Sequence, residues 1–310
     1  MTEKILYNPG NDPEYNNHRF GPGERFSFER VEEDGLGILI KRGRNPELYE
    51  NLDRELLWGE FMAYIGANFP EAKLRSPEIL SLSRDKTELK MEYISAPLLT
   101  AENALSSLDD AQFSRFVQSL EIFDQVGGQW QPRTHRDDSN DHTPYDQVDK
   151  SWGEWYKYTR ISGLVTLEMD VKARQLVDDY KEHLTPRLQH GDYAPWQIFD
   201  DNGEWITFDA EHASETKPRY YDLAYIYART FVLARDPDTA MRLLIEFLPQ
   251  HQESEDDFFK AFLPVLMSRS MGMFLDTYFA AKRGEFGRKD YAKDLYNRCL
   301  QRSLPALLSQ

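Results

Sequence analysis

The stretch Leu188 to Ala210, LQHGDYAPWQIFDDNGEWITFDA, constrains the fold more than any other part of the chain. Its centre, DDNGEW, is a tight-turn signal, because Asn-Gly tolerates the positive φ that a short hairpin requires. Apolar residues with strand character flank the turn on both sides, so the segment reads as a β-hairpin. Acidic residues, Asp192 and Asp209, stand at its two outer ends. Charge at both ends of an otherwise apolar pair of strands needs a reason.

Register decides which residues those acids meet. A two-residue Asn202-Gly203 loop sets Gln197 opposite Phe208, whereas a three-residue loop from Asn202 to Glu204 sets Gln197 opposite Asp209. The second register is the one expected here, with Gln197 and Asp209 on one face and their Cβ atoms roughly 5 Å apart. Asp192 lies in the bend leading into the hairpin, so three oxygen-bearing side chains converge. Mg²⁺ is usually held by one or two protein oxygens of this kind, completed by phosphates and water.

The first hundred residues read as strands and turns around one helix. RFSFERVEE alternates through Phe26, Phe28 and Val31, DGLG supplies a turn, and ILIKR is a short strand rich in β-branched residues. Leu57, Phe61 and Ile65 share one face of a helix over Leu52 to Ile65. Two further strands are expected at Glu78 to Leu80 and Glu88 to Ile94, giving a small antiparallel lobe of five strands and one helix. After Ala96 the composition turns helical. Asp109 or Asp110 caps a helix whose apolar stripe includes Phe113, Phe116, Val117 and Leu120, and Gly127-Gly128 stops it. Gln129 to Lys150 is polar, with two prolines and no clear period, and reads as a functional loop or a disordered stretch. A further helix runs from about Glu168 to Leu184, and the chain is helical again from Tyr221 onward. The hairpin is then an island of strand in a helical lobe.

HGDYAPWQIF followed by ITFDAE resembles the His-Gly-Asp-x-x-x-x-Asn and Ile-Asp-x-x signatures of the aminoglycoside phosphotransferase and choline kinase superfamily. The resemblance runs from about Phe20 to about Arg229 and implies an α+β, two-lobed, protein-kinase-like fold. It implies an N-terminal nucleotide-binding lobe over residues 1–95 and a C-terminal catalytic and substrate-binding lobe over 96–310. On this resemblance Asp192 is the catalytic aspartate that orients the acceptor hydroxyl and takes its proton, and Asp209 is the metal-binding aspartate. Gln197 stands where the family has asparagine, the second metal ligand, and carries its carbonyl oxygen one methylene further. ILIK resembles the strand whose lysine contacts the α- and β-phosphates, here Lys41. Its glutamate partner on the next helix is Glu55, from the RELLW pattern, or Glu60, from the kinase-like spacing of 19 residues. GPGERFS, with Gly21, Gly23 and Ser27, occupies the place of the phosphate-covering loop, whose backbone N–H groups bind phosphate. LKMEYIS resembles the strand joining the lobes, so the backbone of Glu92, Tyr93 and Ile94 would bond adenine. PRYYDLAYIYAR resembles the segment whose aspartate, Asp222, braces the catalytic loop; as a purely local matter Asp222 could equally cap a helix starting at Leu223.

The implied activity is ATP-dependent phosphotransfer, with Mg²⁺ and ATP between the lobes, to a hydroxyl of a small acceptor. The alternative is a kinase-like protein that binds a nucleotide or partner without transferring phosphate, and Gln197 is the feature that favours it. Composition narrows the partners. In 310 residues, 53 acidic side chains face 37 basic ones, for a net charge of −16, which argues against a nucleic-acid backbone as partner. At 40% hydrophobic residues the chain can bury a large core. One cysteine, Cys299, rules out an intrachain disulfide, and neither a signal-peptide pattern nor an 18-residue apolar run is present. The expectation is a soluble, cytoplasmic protein. His183, His190 and His212 lack metal-site spacing. The residues from Trp152 to Tyr158 read as packing, and no motif names the acceptor.

Overall fold

The computed structural model describes residues 25–102, 104–131, 143–250 and 254–304. Strand β1 (Phe26–Glu33) and β2 (Leu36–Gly43) form a hairpin in which Asp34 and Gly35 both take positive φ, as a two-residue turn demands. Strands β4 (Ile79–Leu82) and β5 (Glu88–Glu92) complete an antiparallel sheet of order β1-β2-β5-β4. Helix α1 (Tyr49–Asn68) accompanies this sheet. Leu52 on the helix packs with Phe26, Leu89 and Met91 of the sheet in one buried cluster. The sheet has four strands, at the four stretches named from the sequence, and not the expected five; a further strand not expected, β3 (Leu74–Arg75), pairs elsewhere.

That partner is the long-range hairpin of β7 (Ile198–Asp201) and β8 (Glu204–Thr207). β3 runs parallel to β8, and the opposite edge of β7 is bonded by residues 97–99, through Leu99 N–H to Ile198 O at 2.7 Å and Asp200 N–H to Pro97 O at 2.9 Å. Backbone groups of a buried hairpin must find partners, and residues early in the chain supply them. The hairpin is therefore not an island among helices. It belongs to a compact unit with residues 1–103 and 130–135, carrying residues 192–214 with it, so the division of the chain is not a single cut near residue 95. Trp58 of α1 ties the two parts together, donating its indole N–H to Thr207 Oγ1 at 2.8 Å with both side chains buried.

The second compact unit takes residues 104–129, 136–191 and 215–310. Helix α2 (Asp110–Gly127) is closed at its start by Asp109 and Gln112 in a reciprocal capping box. Helix α3 (Pro144–Ser162) occupies part of the stretch that lacks an apolar period; its start is fixed by Thr143 and Asp146, a second capping box. α4 (Leu167–Tyr180), the short pair β6 (Pro186–Gln189) and β9 (Ser214–Pro218), α5 (Tyr221–Val232), α6 (Pro237–Phe247), α7 (Glu255–Lys282) and α8 (Arg288–Leu300) follow. Ser254 caps α7 through the Asp257 amide. α7 is long and apolar enough to cross a membrane, yet 89% of that stretch is buried inside the protein, against α3, α5 and α8. Gly272 lets α3 close on it: a Cβ there would meet the Trp155 ring at 3.2 Å.

The Trp58–Thr207 bond gives a test of how α1 and the hairpin cohere. Trp58→Phe should lower the unfolding free energy by about 2–4 kcal/mol, from lost volume and the lost indole hydrogen bond, the Thr207 hydroxyl keeping only its contact with Arg75 O. Adding Thr207→Val should recover part of that loss, since both polar partners are then gone. Urea denaturation of the two variants and the parent measures both effects.

Candidate active site

The hairpin register comes first, because it sets what the acids meet. Ile198 pairs with Thr207 and Asp201 with Glu204, so the loop is the two-residue Asn202-Gly203 turn, with φ of 53° and 86°. Both central residues take positive φ, the turn whose twist matches that of the strands, and Asp200 Oδ1 accepts the Gly203 amide at 2.8 Å. Gln197 consequently faces Phe208, whose N–H bonds the Gln197 carbonyl at 3.2 Å. The expected direct pairing of Gln197 with Asp209 does not occur. Asp209 instead follows the strand in a left-handed conformation, φ 62°, which turns the chain out of the sheet.

That turn brings Asp209 to Lys41. Lys41 sits in β2 opposite Phe28 and Leu89, 3% exposed, with Nζ donating to Glu55 Oε1 and, at 3.1 Å, to Asp209 Oδ1. Glu55 of α1 is the partner; Glu60, one turn and a half further on, is not, and its Oε2 is buried with no hydrogen-bond partner among the described residues. A helical face explains the choice, since Glu55 lies with the buried Leu52 and Trp58. Burial works against the Lys41 charge, but Glu55, Asp209 and Glu211 overcome it and hold the ammonium pKa well above the ordinary lysine range. Glu55 fares differently. Burial pushes its carboxyl up, to about 7, and Lys41 offsets this only in part because Asp209 and Glu211 compete for the same cation.

Around this charge cluster lies an open pocket, its roughly 470 Å³ of empty space running out into open solvent. Phe28, Leu39, Met91, Phe199 and Phe208 wall it, Lys41, Glu55 and Asp209 line its polar part, and Glu92, Tyr93 and Ile94 border it as well. The last three do not contribute equally. The Glu92 amide bonds Glu78 O and the Tyr93 amide bonds Gly37 O, each at 2.9 Å. Ile94 N–H has no hydrogen-bond partner among the described residues. The Glu92 carboxylate is occupied by the Arg75 guanidinium, whose Nε also grips Glu204 at 2.8 Å. Ser27 lies inside β1 opposite Arg42, so the loop expected over Gly21 to Ser27 ends before Phe26; Gly21 and Gly23 fall outside the described residues.

Asp192 stands in the bend before the hairpin, one-third exposed. In the helical unit Asp222 braces the two preceding residues, accepting the His190 and Gly191 amides at 2.7 Å each, while its own amide bonds Gln189 Oε1. Tyr220 takes the cap position of α5, so Asp222 is a brace and not the cap. Gln197 Oε1 is buried and without a hydrogen-bond donor among the described residues. A buried acceptor lacking a donor is costly unless a ligand satisfies it, and a carbonyl oxygen is of the type that suits a hard cation. No cluster of three or more His, Cys, Asp or Glu side chains with metal-holding geometry occurs among the described residues. Three neighbours escaped the sequence reading. Glu211 is nearly buried, Arg25 Nη1 donates to its Oε1 at 2.6 Å, and His212 Nε2 lies 3.7 Å from Asp192 Oδ2 and 3.4 Å from Glu211 Oε1. For Glu211 and His212 the one signal was their position just after Asp209; Arg25 had none.

No family model and no curated protein matches the sequence. Solved structures do match. The GDP and kanamycin complex of APH(2")-IIia aligns with a TM-score of 0.56 at 14% identity, over 92% of this chain and 91% of that one. An ethanolamine kinase from Plasmodium vivax aligns at 0.54 and 11%, over 89% and 80%. A ternary complex of aminoglycoside phosphotransferase APH(4)-Ia with ADP and hygromycin B aligns at 0.53 and 13%, over 94% and 98%. The chain shares the α+β, protein-kinase-like fold of these solved phosphotransferases and of the ethanolamine kinase. Identities this low establish the fold and leave activity to the residues of the site.

The raised Glu55 pKa gives a pH test. A carboxyl whose folded pKa exceeds its unfolded value binds more protons in the folded state, so its contribution to stability falls as pH rises through the window between them. The stability of the parent relative to Glu55→Gln should therefore decline from about pH 4.5 to about pH 7. Urea unfolding of both proteins across that range reads the slope.

Proposed function

We propose that the protein is a small-molecule kinase, transferring the γ-phosphoryl group of ATP to a hydroxyl of a small acceptor. The observation that carries this reading is the buried Lys41 ammonium, gripped by Glu55 and reaching Asp209 beside an apolar pocket. An ammonium so placed can meet phosphate oxygens while the pocket walls take a flat, apolar base, with the Ile94 amide as donor. Gln197 and Asp209 would hold Mg²⁺, which, when bound, neutralises phosphate charge. Lys41 orients the phosphates, and Glu55 keeps Lys41 in place. Asp192 aligns the acceptor hydroxyl, and its carboxylate receives the proton as the oxygen attacks phosphorus. Catalysis of this kind is chiefly positioning and electrostatics. The acceptors in the similar structures, kanamycin and hygromycin B among them, carry many hydroxyls and agree with an alcohol acceptor class.

A second reading is a kinase-like protein that binds nucleotide without transferring phosphate. Gln197, in the place of asparagine, supports it.

Three variants separate the readings. Asp192→Asn should leave nucleotide affinity intact and depress transfer or slow ATP hydrolysis by about 10²–10⁴-fold. Asp209→Asn should lose Mg²⁺-dependent nucleotide binding, because a charged ligand is removed from a site with few others. Gln197→Asn should preserve or reduce turnover if the site is tuned around glutamine, and strengthen Mg²⁺-ATP binding if the chain is a non-transferring relative. Calorimetric titration of ATP with and without Mg²⁺, together with ATPase rates, distinguishes these cases. Behaviour identical to the parent in all three would remove the hairpin from the active site.

A further inference from the structure

We infer that His212 is a positioning residue for Asp192: its imidazole Nε2–H engages Asp192 Oδ2 and fixes the carboxylate in the orientation that meets the acceptor hydroxyl. This rests on the phosphotransfer reading above. The geometry begins with Glu211, which is 8% exposed and held by the Arg25 guanidinium at 2.6 Å. Nε2 of His212 lies 3.4 Å from the same Glu211 oxygen and 3.7 Å from Asp192 Oδ2. The guanidinium already serves the Glu211 oxygen from closer range. The imidazole therefore rests against an anchored carboxylate on one side and faces a partly exposed one, Asp192, on the other.

A separation of 3.7 Å is longer than a hydrogen bond, and a small rotation of either side chain closes it. Catalytic hydrogen bonds are often long before substrate binds and tighten afterwards. The charges facing this group are Asp192 and Glu211, with Arg25 behind Glu211; Lys41, Glu55 and Asp209 form the adjoining cluster. Donation requires only a proton on Nε2, in the neutral or the cationic ring, so the role does not depend on the ring's charge. A general base contributes only when it faces the proton it takes. Both partners are partly exposed, and pairs of that kind contribute little to stability. The effect of His212 thus belongs to turnover, not to folding.

The test is a double-mutant cycle on the full chain with Mg²⁺-ATP, water or a hydroxyl acceptor receiving the phosphoryl group. His212→Ala should lower kcat by about tenfold with KM for ATP and the unfolding midpoint unchanged, and His212→Gln, which restores an N–H donor, should recover most of the loss. In an Asp192→Asn background His212→Ala should have no further effect, since its action runs through that carboxylate. Long-range ¹⁵N NMR supplies a readout independent of turnover: His212 should be Nε2-protonated in the parent and lose that preference in Asp192→Asn. Equal losses in both backgrounds, a change confined to KM for ATP, or imidazole signals indifferent to Asp192→Asn would each overturn the role of His212 alone. A parent chain that neither binds nor turns over Mg²⁺-ATP would overturn the kinase reading, and this inference with it.

Discussion

The site is organised around one buried ammonium. Lys41 leaves water almost completely, and an isolated charge so placed would be severely penalised. Three carboxylates make it tolerable, and each arrives on a different part of the chain: Glu55 on the helix, Asp209 beyond the hairpin, Glu211 two residues later. The strand register that points Lys41 inward, the helical face that presents Glu55 and the left-handed turn at Asp209 are all conditions for that neutralisation. An excess of negative charge remains around Lys41. Burial is the larger cause of the raised Glu55 pKa, and this charge adds to it.

Much of this was legible in the residues. The strand alternation through Phe26 and Phe28, the apolar face of α1, the capping residue Asp109 and the Asn-Gly turn are local signals, and local signals survive folding. Lys41, Glu55 and Asp209 were reachable because motif order along the chain carried their association. What was misread depended on tertiary partners. Loop length in the hairpin hinges on twist matching, which a one-residue ambiguity around Gly203 conceals. β3, only two residues long, has no period to detect and exists because β8 requires a neighbour. α3 was obscured by a polar sequence whose capping box, Thr143 and Asp146, was its only local mark. Glu211, Arg25 and His212 have no motif at all; they are identified by distance.

Rigidity in the first unit has an identifiable source. Arg75 donates to Glu92 at the end of β5 and to Glu204 on β8, so a single guanidinium fastens one border of the pocket to the hairpin. Trp58 adds a second fastening from α1 to Thr207. Fastenings of this kind hold the Lys41 ammonium and the Asp209 carboxylate at a fixed spacing.

The left-handed backbone at Asp209 has an evolutionary consequence. Few residues with a side chain accept positive φ, and aspartate and asparagine are prominent among them. Backbone and chemistry therefore select together at this position. Glutamate would keep the charge and meet conformational resistance; asparagine would keep the conformation and discard the charge. Drift at this position has one easy exit, through asparagine, and a descendant that took it would retain its backbone while losing the carboxylate. The identity of this single side chain is thus a compact record of whether a lineage on this scaffold keeps a negative charge beside its buried lysine.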